Sequence, residues 1–210
     1  MQTEVIPITH PTALQHAVDV LHNGGIVAFP TDTVYGLAAW PFHRESIERL
    51  YRIKKRHQNK AIAILLPDIR SLSIVATHPP PAARLLADTF WPGPLTLVVP
   101  RHPQLPDILA PDGSIGVRIP SHPGAHSLLK MAGPLAVTSA NLSGAANTTT
   151  AEQVLEQLQG RFHLLIDGGK TPGSVPSTVV DCTGKGIKIL REGPISAQAI
   201  QETLEKYHLA

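Results

Sequence analysis

The stretch "GGIVAFPTDTVYGLAAW", residues 24–40, runs from a helix stop through a short apolar strand into a cluster of hydroxyls, a carboxylate and a phenol. Upstream of it, Leu14, Ala17, Val18 and Leu21 fall at the i, i+3, i+4, i+7 spacing of one helix face, with Pro11 expected in the first turn and Gly24 and Gly25 as the stop. "IVAF", residues 26–29, reads as the strand that follows. Thr31, Asp32, Thr33 and Tyr35 then stand just past the strand's carboxyl end, where open α/β sheets bind ligands. Such residues are also favoured at turns for local reasons, so taken alone the cluster reads first as turn chemistry.

The same alternation continues downstream. A helix carrying Ile47, Leu50 and Tyr51 precedes a strand "AIAILL" (61–66), and a helix carrying Ala82, Leu85, Leu86 and Thr89 precedes "LTLVV" (95–99), reached through the breaker-rich "WPGP". "SIGVRI" (114–119) follows, then a helix through Ala125, Leu128, Leu129 and Ala132, and "LAVTS" (135–139). The last third holds a helix through Val154, Leu155 and Leu158, three short strands, "HLLI", "TVVD" and "IKIL", and a final helix with Ala197, Ile200, Leu204 and Tyr207. The fold class is α/β with a twisted, open sheet. The sheet is expected to be mixed, because the late strands lie too close together for helical crossovers. The 20 prolines sit mostly at the joints.

Composition narrows the function. With 210 residues, 42% of them hydrophobic, and a mean hydropathy of +0.03, the chain can bury a core as one domain, residues 1–210. Its apolar runs fall well short of the roughly 20 residues of a membrane span, so no membrane association is expected. Cys182 is the single cysteine, which excludes an internal disulfide and a cysteine-based zinc cage and fits a reducing, cytoplasmic setting. A net charge of +2 is too small for an obligate nucleic-acid coat, though it leaves room for a local anion site.

Several chemistries fail on counting. "DGGKTPG" ends like a phosphate-binding loop, but Leu164 stands where the leading glycine is required, and "TGKGIKI" lacks the third glycine of a dinucleotide fingerprint. His122 and His126 are four apart, yet Pro123 is expected to begin a helix between them and no third ligand is evident; no protein metal site is expected. In "ESIERLYRIKKR" (45–56), one further turn of the face Ile47, Leu50, Tyr51 lands on Lys54, an inward-facing cation. Glu45 with Arg49 and Glu48 with Arg52 are spaced as i, i+4 pairs, so the segment reads either as a solvated, salt-bridged helix or as one that offers Lys54 and Arg56 to a polyanion. "AVTSANLSG" (136–144) ends a strand in Thr138, Ser139, Asn141 and Ser143, the same kind of position as the Thr31–Tyr35 cluster, and the two together read as one site.

Eight segments, "PTDTVYGLA", "KKR", "WPGPLTLVV", "GVRIPSHP", "TSANLSG", "IDGG", "STVVD" and "LREGP", occur between Ile26 and Pro194 in an order and spacing that resembles the YrdC/Sua5 family of threonylcarbamoyl-AMP synthases. The resemblance implies a YrdC-like sheet curled round a large, positively lined cavity. It also implies a reaction that joins L-threonine, bicarbonate and ATP to give threonylcarbamoyl-AMP and pyrophosphate for N6-threonylcarbamoyladenosine modification of tRNA. Mg2+ would accompany ATP without a protein cage. Downstream threonylcarbamoyl transferase machinery is the implied partner, with weak tRNA binding as a secondary contact. The family's lysine-x-arginine signature falls on Lys54 and Arg56, implied catalytic residues at the ATP phosphates. Its serine-x-asparagine signature falls on Ser139 and Asn141 near the nucleotide, with Arg191 and Ser114 as further ATP contacts. Thr31, Arg118 and Ser177, with Thr33 and Tyr35, match the threonine and bicarbonate side. His57 replaces a proline common in relatives, Leu65 stands where some carry histidine, and the length corresponds to the short form without the extra C-terminal domain of the Sua5 branch. The alternatives are a non-catalytic RNA-binding relative and a carbamoyl-handling paralog.

The implied chemistry suits these side chains. A carbamate is an anion that must attack the α-phosphate of another anion, so cations have to offset their repulsion and the charge growing on pyrophosphate. The attacking group is already charged, so alignment and electrostatics replace a strong general base.

Overall fold

The computed structural model describes residues 2–110, 112–173 and 175–206. In chain order the strands are β1 (Glu4–Pro7), β2 (Val27–Phe29), β3 (Gly36–Ala39), β4 (Ala63–Leu65), β5 (Leu95–Pro100), β6 (Ser114–Arg118), β7 (Leu135–Ser139), β8 (Leu164–Asp167), β9 (Thr178–Asp181) and β10 (Lys188–Arg191). The helices are α1 (Ala13–His22), α2 (Arg44–Lys54), the single turn α3 (Leu72–Val75), α4 (Pro81–Phe90), α5 (Pro123–Ala132), α6 (Ala151–Leu158) and α7 (Ala197–Lys206). The strands form one mixed sheet in the order β1-β8-β2-β3-β7-β4-β6-β5-β9-β10.

The period-2 alternation of side chains explains both the core and the cavity. On one face, Ala28, Leu37, Ile64, Leu97, Ile115, Val117, Ala136, Leu165 and Val180 join the larger apolar cluster, which also takes in buried residues of α2, α4, α6 and α7. On the other face, Val27, Phe29, Ala38, Leu135, Leu164 and Ile166 pack under α1 and α5. The cluster under these helices centres on β8, β2 and β3 and reaches Leu135 and Val137 of β7 and Leu65 of β4. Beyond β7 this face presents Ala63 and Leu65, Ser114, Gly116 and Arg118, Thr96 and Val98, and Val179 and Asp181, which line a cavity. The uncovered half of the sheet is thus the floor of the site.

Several sequence expectations are corrected. Pro11 precedes α1, whose N-cap is Thr12. The buried face of α4 is Ala83, Leu86 and Ala87, with Ala82 and Leu85 at its margin and Thr89 exposed, a rotation of the expected stripe. Glu48 pairs with Arg44 rather than Arg52, at 3.1 Å, and Arg49 turns inward to Gly24 O and His163 Nε2, each 3.3 Å away. β1 and β3 are added. Tyr207 lies outside the described residues.

Candidate active site

The loop from Pro30 to Tyr35 connects the antiparallel strands β2 and β3, and its polar atoms first hold one another. Thr31 Oγ1 donates to Val34 O at 2.7 Å and lies 3.1 Å from Thr33 Oγ1. Asp32 Oδ1 accepts from Arg118 Nη2 at 2.6 Å and from the Ser121 amide at 3.1 Å. Both partners of this ion pair are nearly enclosed, with side-chain exposures of 6% for Arg118 and 10% for Asp32. Arg118 also donates from Nε to Gly93 O at 2.9 Å and from Nη1 to Thr33 Oγ1 at 3.1 Å. Three of its five N–H groups are therefore committed, and two remain for a ligand. Burial pushes this guanidinium's pKa down while Asp32 pulls it back up.

Tyr35 is fully buried, and its hydroxyl donates to Gly169 O at 2.8 Å while accepting from the Gly168 amide at 3.2 Å. Its pKa is pushed up to about 12, chiefly by burial. The phenol therefore ties β3 to the turn after β8.

Arg56 follows Lys55, which ends α2 in the left-handed conformation at φ 50° and redirects the chain toward the cavity. The Arg56 guanidinium donates to Lys60 O at 3.1 Å and Ala61 O at 2.9 Å. Across the cavity, Arg191 at the end of β10 donates to Ser177 O at 3.0 Å and Ser177 Oγ at 3.1 Å, and Ser177 Oγ meets Thr96 Oγ1 at 2.7 Å. Gly193 permits this approach, because a Cβ there would sit 2.4 Å from the Thr178 nitrogen. The pKa of Arg191 is lowered by burial and then by the charges of Arg118 and Arg56, so the three guanidiniums share one field.

The cavity, of about 380 Å³, opens to solvent and brings together Thr31, Thr33, Tyr35, Arg56, Ser114, Arg118, Ser139, Ser177 and Arg191 of the sequence-selected residues. Lys54 and Asn141 stand immediately behind its wall. Lys54 is 1% exposed, and its ammonium is held by Ser139 O at 2.5 Å, Asn141 O at 2.5 Å and Asn141 Oδ1 at 3.2 Å. Burial, with Arg56 adding to it, brings its pKa down to about 7. His57 is exposed, and Leu65 contributes an apolar patch to the floor.

Sequence reasoning missed Thr96, Asp112, Gly116, Val179, Asp181 and Thr183 on the wall. A signal existed for two of them, since Thr96 and Asp181 are polar interruptions in apolar strands. His122 Nδ1 accepts from the Ala125 amide as the N-cap of α5, and His126 Nε2 lies 2.8 Å from Pro67 O, so the two rings do different structural work. Among the described residues no group of three His, Cys, Asp or Glu side chains gathers as a metal cage.

Comparison with known proteins places the architecture. The Sua5/YciO/YrdC family model, described as "Telomere recombination", matches residues 19–193. The chain belongs to this family. It is 35% identical over 204 residues to the threonylcarbamoyl-AMP synthase of Bacillus subtilis, covering 96% of this chain and 59% of the relative. It is 37% identical over 189 residues to a putative threonylcarbamoyl-AMP synthase of Mycobacterium tuberculosis, covering 90% and 87%. Pyrococcus abyssi Sua5 in complex with L-threonine superimposes with a TM-score of 0.88 at 35% identity, over 91% of this chain and 57% of that one. The chain thus spans somewhat under two thirds of the B. subtilis and P. abyssi proteins. Escherichia coli YciO matches with a TM-score of 0.83 at 28% identity, over 95% and 98%.

Proposed function

We propose that this chain is a nucleotidyltransferase, an L-threonylcarbamoyladenylate synthase that acts as a single YrdC-like domain. The threonine amine attacks the bicarbonate carbon, a C–N bond forms, a C–O bond breaks and water leaves; AMP is then transferred from ATP to the resulting carbamate. The observation that carries this reading is the convergence of Arg56, Arg118 and Arg191 on one cavity whose rim is built from Thr31, Thr33, Ser139 and Ser177. Three guanidiniums around one cavity suit ligands with several negative charges. Relatives carrying the synthase name and a Sua5 structure holding L-threonine support the choice of ligands.

In the proposed reaction a carbamate oxygen attacks the α-phosphorus, a new P–O bond forms, and the bond to the bridging oxygen breaks. Its electron pair leaves with pyrophosphate. Arg56 and Arg191 face the phosphates and offset the charge that grows on the leaving group. The two uncommitted N–H groups of Arg118 take the threonine carboxylate, while Asp32 and Gly93 O hold its plane in place. Thr33 and Ser177 offer hydroxyls for the threonine side chain and carbamate, and Ser114 one for the nucleotide. Mg2+ enters with ATP as part of the substrate. The product passes to a threonylcarbamoyl transferase acting on tRNA.

The test is release of pyrophosphate from ATP by purified protein. Release that requires both L-threonine and bicarbonate supports the proposal. ATP binding without such release would instead favour the carbamoyl-handling paralog, and tRNA binding without ATP binding the RNA-binding relative.

A further inference from the structure

Lys54 stands behind the cavity wall and is not among the residues that line it. It is 1% exposed, and an ammonium carries three N–H groups, which is the number of oxygens around it: Ser139 O, Asn141 O and Asn141 Oδ1. No donor is left over for a phosphate. The Lys54 carbonyl in turn accepts from the Ser143 amide at 2.9 Å, so residue 54 clasps the segment after β7 from both its ends.

The clasp has a directional effect. Asn141 Nδ2 donates to Ala145 O at 2.7 Å, and Asn141 Oδ1 faces the lysine. A flipped amide would set its NH2 against the ammonium and its oxygen against a carbonyl, so the charge of Lys54 fixes the amide's orientation. Asn141 Oδ1 then receives a second hydrogen bond, from Ser139 Oγ at 2.5 Å. The only proton on the Ser139 hydroxyl is thereby spent inside the wall. What Ser139 shows the cavity is a pair of acceptor lone pairs. Phosphate and carboxylate oxygens are acceptors as well and gain nothing from it.

We propose that Lys54 is a positioning residue that acts through Asn141 to present Ser139 Oγ as a hydrogen-bond acceptor, and that Ser139 therefore recognises a donor group of the substrates. Within the function proposed above, on which this inference rests, such donors lie on two sides: the ribose hydroxyls and adenine amine of ATP, and the hydroxyl and carbamate N–H of the threonine-derived carbamate. Arg56 and Arg191, which do reach the cavity, are left as the phosphate ligands. This departs from the expectation drawn from the lysine-x-arginine pattern, in which Lys54 grips the phosphates itself.

Calorimetric titration at pH 6, where Lys54 keeps its proton, separates the two roles. The probes are inorganic pyrophosphate, adenosine, and L-threonine with bicarbonate; the proteins are wild type, Lys54→Met, Ser139→Ala, the double variant, and Ser139→Thr. Lys54→Met and Ser139→Ala are each expected to weaken the same probe by about tenfold, the value of one hydrogen bond in a closed site. That probe is adenosine if the donor belongs to the nucleoside and threonine with bicarbonate if it belongs to the carbamate. Pyrophosphate affinity should stay within about twofold in both, the double variant should be no worse than the weaker single variant, and Ser139→Thr should restore binding. Additive losses, or weakened pyrophosphate binding in Lys54→Met, would overturn the inference.

If Lys54→Met does not fold, Ser139→Ala alone decides, because a loss confined to pyrophosphate contradicts an acceptor role. If wild type binds these probes but releases no pyrophosphate from ATP, the synthase reading falls while the affinity pattern still judges Lys54. Wild type binding none of the probes overturns both.

Discussion

Asp32→Ala removes the carboxylate that faces Arg118, and the structure sets the size of the effect. The pair is separated by 2.6 Å, and Arg118 is 5% exposed. Removing one partner of such a pair leaves the other charge buried and uncompensated, which typically costs about 3–5 kcal/mol. Arg118 retains Gly93 O and Thr33 Oγ1, so the lower end, about 3 kcal/mol, applies. For 210 residues with about 2.1 cal/mol/K of unfolding entropy each, this lowers the melting midpoint by about 7 °C. Asp32→Asn should recover little, because its NH2 would replace Oδ2, which has no hydrogen-bond partner among the described residues. The double variant Asp32→Leu/Arg118→Met, with no charge left to strand, should be more stable than Asp32→Ala. Urea denaturation at constant m-value is the assay. A loss below about 1 kcal/mol in Asp32→Ala, or a double variant less stable than the single, would refute the view of Arg118 as an enclosed, paired cation.

Three other outcomes follow from the same geometry. Arg56→Met and Arg191→Met should each lower kcat/KM for ATP by about tenfold to a hundredfold, the range for a charge-assisted hydrogen bond, with thermal midpoints near wild type; unchanged steady-state kinetics would contradict their placement on the phosphates. Gly116→Leu would place a Cβ 3.2 Å from Thr96 Cγ2 and 3.3 Å from Ala63 Cβ and send the rest of the side chain over the cavity floor. It should weaken nucleotide affinity by at least about tenfold, or 1.4 kcal/mol, in equilibrium titration, and unchanged affinity would mean the floor carries no ligand. Lys54 releases its proton near pH 7 in the folded protein and at about 10.5 when unfolded. Between these values the unfolded chain binds more protons, so the stability of wild type relative to Lys54→Met should rise with pH; a flat difference would show that the three oxygens hold the ammonium charged throughout.

The apolar periodicities of α1, α2 and α5 were readable because each helix puts a regular stripe on one core. β3 was hidden: "GLAA" carries no β-branched residue, and its conformation comes from pairing with β2 and β7 on either side. The exposed ends of β1 and its Pro7 mask another strand, as edge positions do. In α4 the abundance of alanine and leucine on adjacent positions left the phase undetermined until the sheet chose it. At the site, the Thr31–Tyr35 and Ser139–Asn141 clusters were visible as polar residues at strand ends. The inward phase of Lys54 was visible as well. What it points at was not, because Ser139 and Asn141 lie more than eighty residues away and their oxygens come together only once β7 is seated between β3 and β4. The partner of Asp32 was hidden for the same reason, since Arg118 arrives on β6 from across the fold.

In the proposed reaction three guanidiniums assemble two anionic reactants in one cavity. Mass spectrometry of the products formed from ATP, L-threonine and isotopically labelled bicarbonate tests it most directly. The expected product is an adenylate that contains both threonine and the labelled carbon, reduced in Arg56→Met and Arg191→Met. Labelled bicarbonate absent from every nucleotide product of the wild-type protein would contradict it.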